Sequence, residues 1–67
     1  MAQPNLAGPT DSYLFAEHLF ELAIERSPRL SFERAEYLLD RVLERLDDGQ
    51  PLAGPDYAEL CRYARAG

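Results

Sequence analysis

The chain has 67 residues, of which 12 are acidic and 7 basic, and its net charge is −5. A chain of this length forms one domain that buries only about 60% of its unfolded surface, so a partner subunit or very regular helix packing would stabilise it. Because the net negative charge repels a phosphate backbone, the composition argues against nucleic acid as a partner.

Cys61 is the only cysteine, which excludes an internal disulfide framework and a cysteine-rich zinc site. The opening MAQPNLAGPT lacks the basic and apolar regions of a secretion signal. No stretch approaches the roughly 20 apolar residues of a membrane span. These features predict a cytoplasmic protein that does not enter a membrane.

In chain order, a short tail precedes a single helical domain. Residues 1–9 hold two prolines and a glycine with little apolar content, which predicts a flexible tail. Residues 10–67 are predicted to form the domain, with a first helix over about 11–26 that the following Ser-Pro pair ends. The possible N-caps of this helix are Thr10, Asp11 and Ser12.

Ser31 is the predicted N-cap of a second helix over 32–47, and Gly49 is suited to the position just after its end. Pro55 then opens a short third helix over about 55–65. No segment alternates with the period of two that is typical of strands. The sequence therefore predicts a small all-α domain, with two main antiparallel helices and a short C-terminal one, and dimerisation as an open possibility.

The apolar residues of the first helix occupy an arc of about 200° at 100° per residue, against about 140° on the second helix. One neighbouring helix cannot cover so wide an arc. Either the first helix lies between the other two, or a second chain covers part of it. Phe15, Leu19 and Leu22 are the candidate residues for such self-association.

The second helix sorts its charges onto separate flanks. Glu36, Asp40 and Glu44 repeat at i,i+4, while Arg41 and Arg45 lie on the other flank. Like charges four residues apart cost an isolated helix a few tenths of a kcal/mol each, so the pattern does not serve that helix alone. The acids form either a solvated face or a surface that recognises a partner. The three acids together with Arg41 and Arg45 are the predicted interaction surface.

The sequence offers little that points to catalysis or metal binding. His18 shares a helical strip with Glu21 and Glu25, but a di-metal bundle needs more donors on facing helices. Cys61 falls on the docking face of the third helix, where a small buried hydrophobe is the ordinary role of cysteine. No phosphate-binding loop, nucleophile elbow or zinc pattern is present. We expect no enzyme activity, no cofactor and no metal.

Nucleic-acid binding is a competing interpretation, because the third helix carries Arg62 and Arg65. The connection before that helix is longer than a helix-turn-helix turn, and its surroundings are acidic. The same acidity also allows an inhibitor that occupies the basic site of a nucleic-acid-binding protein.

The segment SFERAEYLLDRVLERLDDG resembles the opening helix of the small subunit of exodeoxyribonuclease VII. The matching positions are Ser31, Phe32, Glu33, Ala35, Leu39, Val42, Leu46 and Gly49. That family continues into a second long helix, whereas the third helix here is short and a further helix precedes the match. The resemblance implies a non-catalytic subunit whose helices bind a large nuclease subunit.

Taken together, these patterns predict a non-catalytic protein-interaction module, a small bacterial or phage-type adaptor, regulator or accessory subunit. Its predicted partner is another protein, with a homodimer as a further possibility. A nucleic-acid-binding regulator, a nuclease small subunit and an acidic inhibitor remain the alternatives.

Overall fold

The computed structural model describes residues 9–66, with side chains from residue 11 onward, and contains three helices and no strand within that range. The helices are α1 (Pro9–Arg26), α2 (Phe32–Asp47) and α3 (Pro55–Arg65). This architecture confirms the predicted all-α three-helix domain. None of these helices is long and apolar enough to cross a membrane.

Helix α1 begins at Pro9, two residues before the predicted start at Asp11. A proline suits the first helical position, because its fixed φ is helical and the N–H it lacks has no partner there. Asp11 therefore lies in the first turn, where its negative charge interacts favourably with the positive end of the helix dipole. Residues 1–8 of the predicted tail lie outside the described part of the chain.

Helix α2 has a side-chain cap at its start and a glycine just beyond its end. The Oγ atom of Ser31 accepts a hydrogen bond from the backbone N–H of Arg34 at 3.0 Å, which satisfies one of the free donors of the first turn. Past the last residue, Gly49 has φ 81° and its N–H donates to the carbonyl of Leu46 at 3.0 Å. The chain thus leaves α2 through a conformation that glycine adopts without strain.

Helix α3 starts abruptly after Gly54, whose φ of 97° and ψ of 173° are accessible mainly to glycine. Pro55 occupies the first helical position, and Asp56 follows in the first turn. Because α3 has only 11 residues, packing against the other helices must stabilise it.

Each helix contacts both of the others, and α1 has the largest share of these contacts. The Tyr13 hydroxyl donates to the carboxylate of Asp47, which joins the start of α1 to the end of α2 and raises the pKa of Tyr13. Ser27 Oγ donates to the carbonyl of Tyr63 at 3.0 Å and joins the ends of α1 and α3. Helix α2 therefore runs antiparallel to both neighbours.

The core lies where the three helices meet. The largest side chains that are fully buried there are Leu38 of α2 and Leu60 of α3. The buried residues of this cluster are Ala16, Leu19, Ala23, Leu38, Val42, Leu60 and Ala64. The small alanines of α1 and α3 allow close approach of the helices, so a short third helix can complete a core of this size.

The wide apolar arc of α1 is only partly covered within the chain. Leu19 is buried at 7% exposure, whereas Phe15 remains 45% exposed. Contacts with α2 and α3 thus account for the centre of the arc but leave its edge at Phe15 open to solvent.

Candidate functional site

The arginines of α2, which are Arg34, Arg41 and Arg45, lie on one flank of the helix that faces α3, and we call them the arginine flank. Arg34 donates to both carboxylate oxygens of Glu59, from Nε to Oε2 at 3.1 Å and from Nη2 to Oε1 at 2.9 Å. The Tyr63 hydroxyl donates to Oε2 of the same carboxylate at 3.3 Å. The hydrogen bonds from Arg34 are the main reason that the pKa of Glu59 lies below its usual value of 4.5.

Arg41 and Arg45 also lie on the α3 side of α2. Arg41 Nε is 3.6 Å from Oδ2 of Asp56, in the first turn of α3. The side chain of Arg45 lies over Gly54, so that a Cβ atom at position 54 would meet its guanidinium group at 3.6 Å. Both arginines, predicted as part of an interaction surface, thus contact α3 and the loop before it.

The acids of α2 point away from α3. Glu36, Asp40 and Glu44 are all exposed, and we call them the acidic face. Among the described residues, the one ion pair on this face joins Glu44 Oε1 to Arg41 Nη1 at 3.6 Å, and the Glu44 side chain is 70% exposed. Ion pairs this exposed contribute little to stability, so the acidic face is not needed to hold the fold together.

An open groove of about 570 Å³ runs between α1 and α3, and we call it the apolar groove. Its walls include Phe15, Leu19, Tyr57, Cys61 and Arg65. Two of the residues predicted for self-association, Phe15 and Leu19, therefore lie here, but Leu19 is largely buried in the core. The third, Leu22, packs against the core as a partly buried residue and does not line the groove.

A second open groove, of about 540 Å³, lies at the end of the bundle where α1 and α3 finish. Three exposed arginines surround it: Arg26, Arg29 and Arg62. We call it the arginine groove. Sequence reasoning groups Arg62 with Arg65, but the structure separates them, because Arg65 lines the apolar groove instead. No local sequence pattern reveals this cluster, since the fold brings its members together from two distant segments.

The residues considered for chemistry are not gathered into one site. His18, Glu21 and Glu25 are exposed on α1, whereas the thiol of Cys61 is half-buried on α3. In the described part of the chain, no three His, Cys, Asp or Glu side chains are placed to hold a metal ion.

The chain matches no protein-family model, no curated protein and no solved structure closely enough to indicate kinship. The resemblance of residues 31–49 to the exodeoxyribonuclease VII small subunit thus stays a prediction.

Proposed function

We propose that this chain is a non-catalytic protein-interaction module, a small adaptor, regulator or accessory subunit whose acidic face binds a basic surface on another protein. The observation that supports this function is the unequal use of the charges on α2. Two of its three arginines pair with acids of α3, whereas Glu36, Asp40 and Glu44 remain exposed.

The arginine flank has an internal purpose that the acidic face lacks. Arg34 and Arg41 each contact an acid of α3, so their position on one side of α2 follows from the docking of α3. The i,i+4 acids instead repel one another by a few tenths of a kcal/mol per pair. A basic partner surface would turn this repulsion into attraction, and complementary charge would speed and orient the encounter.

The competing explanation for the acidic face is solubility. A charged stripe keeps a small protein dispersed whether or not a partner exists, and salt screens its internal repulsion. The two explanations differ in one respect: solubility depends on the number of charges, whereas recognition depends on which helix carries them.

A charge-reversal experiment uses this difference. The test variant carries Glu36→Lys, Asp40→Lys and Glu44→Lys on α2, and the matched control carries Glu17→Lys, Glu21→Lys and Glu25→Lys on α1. Both sets are exposed and change the net charge equally. The wild type and both variants are expressed in cells with an affinity tag, and their protein partners are recovered after cross-linking.

We expect the α2 variant to lose partners that the wild type and the α1 variant retain. Circular dichroism checks that all three forms have the same helix content. If the α2 variant retains every partner of the wild type, the acidic face is not a recognition surface and the proposal fails.

The proposal places the protein in the cytoplasm, where a reducing environment keeps the unpaired Cys61 as a thiol. It assigns no reaction to the chain. The one histidine and the one cysteine lie on different helices, His18 on α1 and Cys61 on α3.

A further inference from the structure

The arginine groove gathers three cations from separate parts of the fold. Arg26 is the last residue of α1, Arg29 lies in the turn that follows, and Arg62 is in the last turn of α3. The hydrogen bond from Ser27 Oγ to the carbonyl of Tyr63 links the two helix ends, so the backbone segments that carry these arginines lie side by side.

Arg26, Arg29 and Arg62 differ from Arg34 and Arg41 in having no carboxylate within 4.0 Å among the described residues. Within the described residues, ion pairs within 4.0 Å involve only Arg34 and Arg41. Favourable interaction with helix dipoles explains a cation at the end of α1 or α3. It does not explain Arg29, which lies outside any helix, or the convergence of all three on one concavity.

The floor of the groove between the arginines is apolar. Leu30 and Tyr63 are half-buried there and Pro28 forms part of the wall. The guanidinium carbon of Arg62 lies 5.8 Å from the centre of the Tyr63 ring, which holds this charge beside the apolar surface. A ligand that fits both features carries negative charges next to an apolar side chain.

We propose that the arginine groove binds a short acidic peptide segment of another protein, with its carboxylates on Arg26, Arg29 and Arg62 and an apolar side chain against Leu30 and Tyr63. The planar guanidinium group of arginine matches a carboxylate with two parallel hydrogen bonds. This surface is separate from the acidic face, so either proposal can fail while the other stands.

Charge and size favour a peptide over nucleic acid. An extended polyanion meets the repulsion of the whole chain, with its net charge of −5, whereas a short peptide interacts mainly with the local arginines. A groove of about 540 Å³ has room for only a few side chains, which suits a short linear segment.

A random dodecapeptide library displayed on phage tests the proposal, because such a selection does not require the partner protein to be identified. The full chain is immobilised, and selected peptides are synthesised and measured by fluorescence anisotropy against the wild type and an Arg26→Gln, Arg29→Gln, Arg62→Gln variant. We expect peptides with two or more acids beside an apolar residue. Their binding to the triple variant should be at least about tenfold weaker, the scale of one lost charge-assisted hydrogen bond.

Arg62→Gln and Arg65→Gln form a matched pair for the decisive comparison. Both arginines are exposed on α3 and both changes remove one positive charge, but only Arg62 lines the arginine groove. Selected peptides should bind Arg62→Gln more weakly and Arg65→Gln as well as the wild type. Because all these side chains are on the surface, the variants should retain the helix content of the wild type by circular dichroism.

Three results would overturn the proposal. The first is a selection without enrichment of acids, and the second is equal binding of the selected peptides to the wild type and the triple variant. The third is salt-sensitive binding of labelled single-stranded oligodeoxythymidine that the triple variant weakens, since this outcome would assign the groove arginines to nucleic acid. We expect no change in the anisotropy of the oligonucleotide.

Discussion

Arg34 on α2 and Glu59 on α3 form a two-pronged hydrogen-bonded ion pair, with N to O distances of 2.9 and 3.1 Å. It joins the first turn of α2 to the middle of α3, so it resists separation of the shortest helix from the bundle. The Glu59 side chain is 20% exposed and that of Arg34 is 49% exposed, so water screens the pair only in part. This contact gives Arg34 a role inside the fold, which is to hold α3 against α2.

This pair predicts a loss of stability in acid. Contact with Arg34 lowers the pKa of Glu59 below 4.5, so the unfolded state takes up a proton more readily than the folded state. The contribution of Glu59 is complete above about pH 5 and disappears as the pH falls through its folded pKa. Glu59→Gln should therefore destabilise the protein near neutral pH and differ less from the wild type in acid.

Urea unfolding followed by circular dichroism, repeated from neutral to acidic pH, measures this difference. Glu36→Gln is the matched control, because Glu36 is exposed on the acidic face and forms no ion pair among the described residues. If Glu59→Gln and the control show the same dependence on pH, the ion pair does not contribute to folding.

Leu60→Ala should nearly or fully unfold the chain. Leu60 is fully buried at 0% exposure where the helices meet. Replacing a buried leucine with alanine costs about 2–5 kcal/mol, because a cavity remains. The whole stability of a domain this small is on the order of 3–10 kcal/mol, at roughly 0.05–0.15 kcal/mol per residue.

Leu14→Ala is the matched control for Leu60→Ala, since Leu14 is 59% exposed and its loss should change stability by no more than about 0.5 kcal/mol. Urea unfolding of both variants gives the comparison. Equal losses from the two substitutions would show that α3 does not pack against the core as described.

Gly54→Ala should destabilise the start of α3 through backbone strain. The φ of 97° and ψ of 173° at Gly54 cost a residue with a side chain about 1–3 kcal/mol. The added Cβ would meet the Arg45 guanidinium at 3.6 Å, an ordinary contact distance, so the loss would not come from a clash.

Gly49→Asn is the comparison for Gly54→Ala. Asparagine tolerates the left-handed region of backbone conformation, and a Cβ atom at position 49 would have no other atom within 4 Å. We expect the loss of unfolding free energy, measured in urea, to be smaller for Gly49→Asn than for Gly54→Ala. The reverse order would contradict the assigned backbone conformation at Gly54.

The sequence predicts local features of this fold better than those that depend on tertiary contacts. Ser31 and Pro55 indicate the starts of α2 and α3 directly, because a cap and a first-turn proline act on adjacent residues. Pro9 alone does not indicate the start of α1, since a proline is equally typical of a loop.

The same distinction applies to the surfaces. The acidic face follows from the helical period alone, and so does the separate position of the arginines on α2. The arginine groove depends instead on the approach of Ser27 to Tyr63, which are 36 residues apart in the chain. The partners of Arg34 and Arg41 likewise lie on α3, so periodicity identifies their flank but not the acids they bind.

Self-association through the apolar groove is the last prediction. Phe15 is 45% exposed at the edge of this groove, and burying the rest of such a side chain is favourable by about 1–2 kcal/mol. In a symmetric dimer the gain occurs twice, because each chain contributes the same surface. Self-association predicts that light scattering over a concentration series shows a mass that rises from 7.6 kDa toward twice that value.

Phe15→Ser should keep the chain monomeric over the same series, since it removes the exposed ring from the groove. Leu14→Ser is the matched control: Leu14 is also exposed on α1 but does not line the groove, so its loss should leave the dimer intact. A wild-type mass that stays at 7.6 kDa at every concentration would contradict self-association.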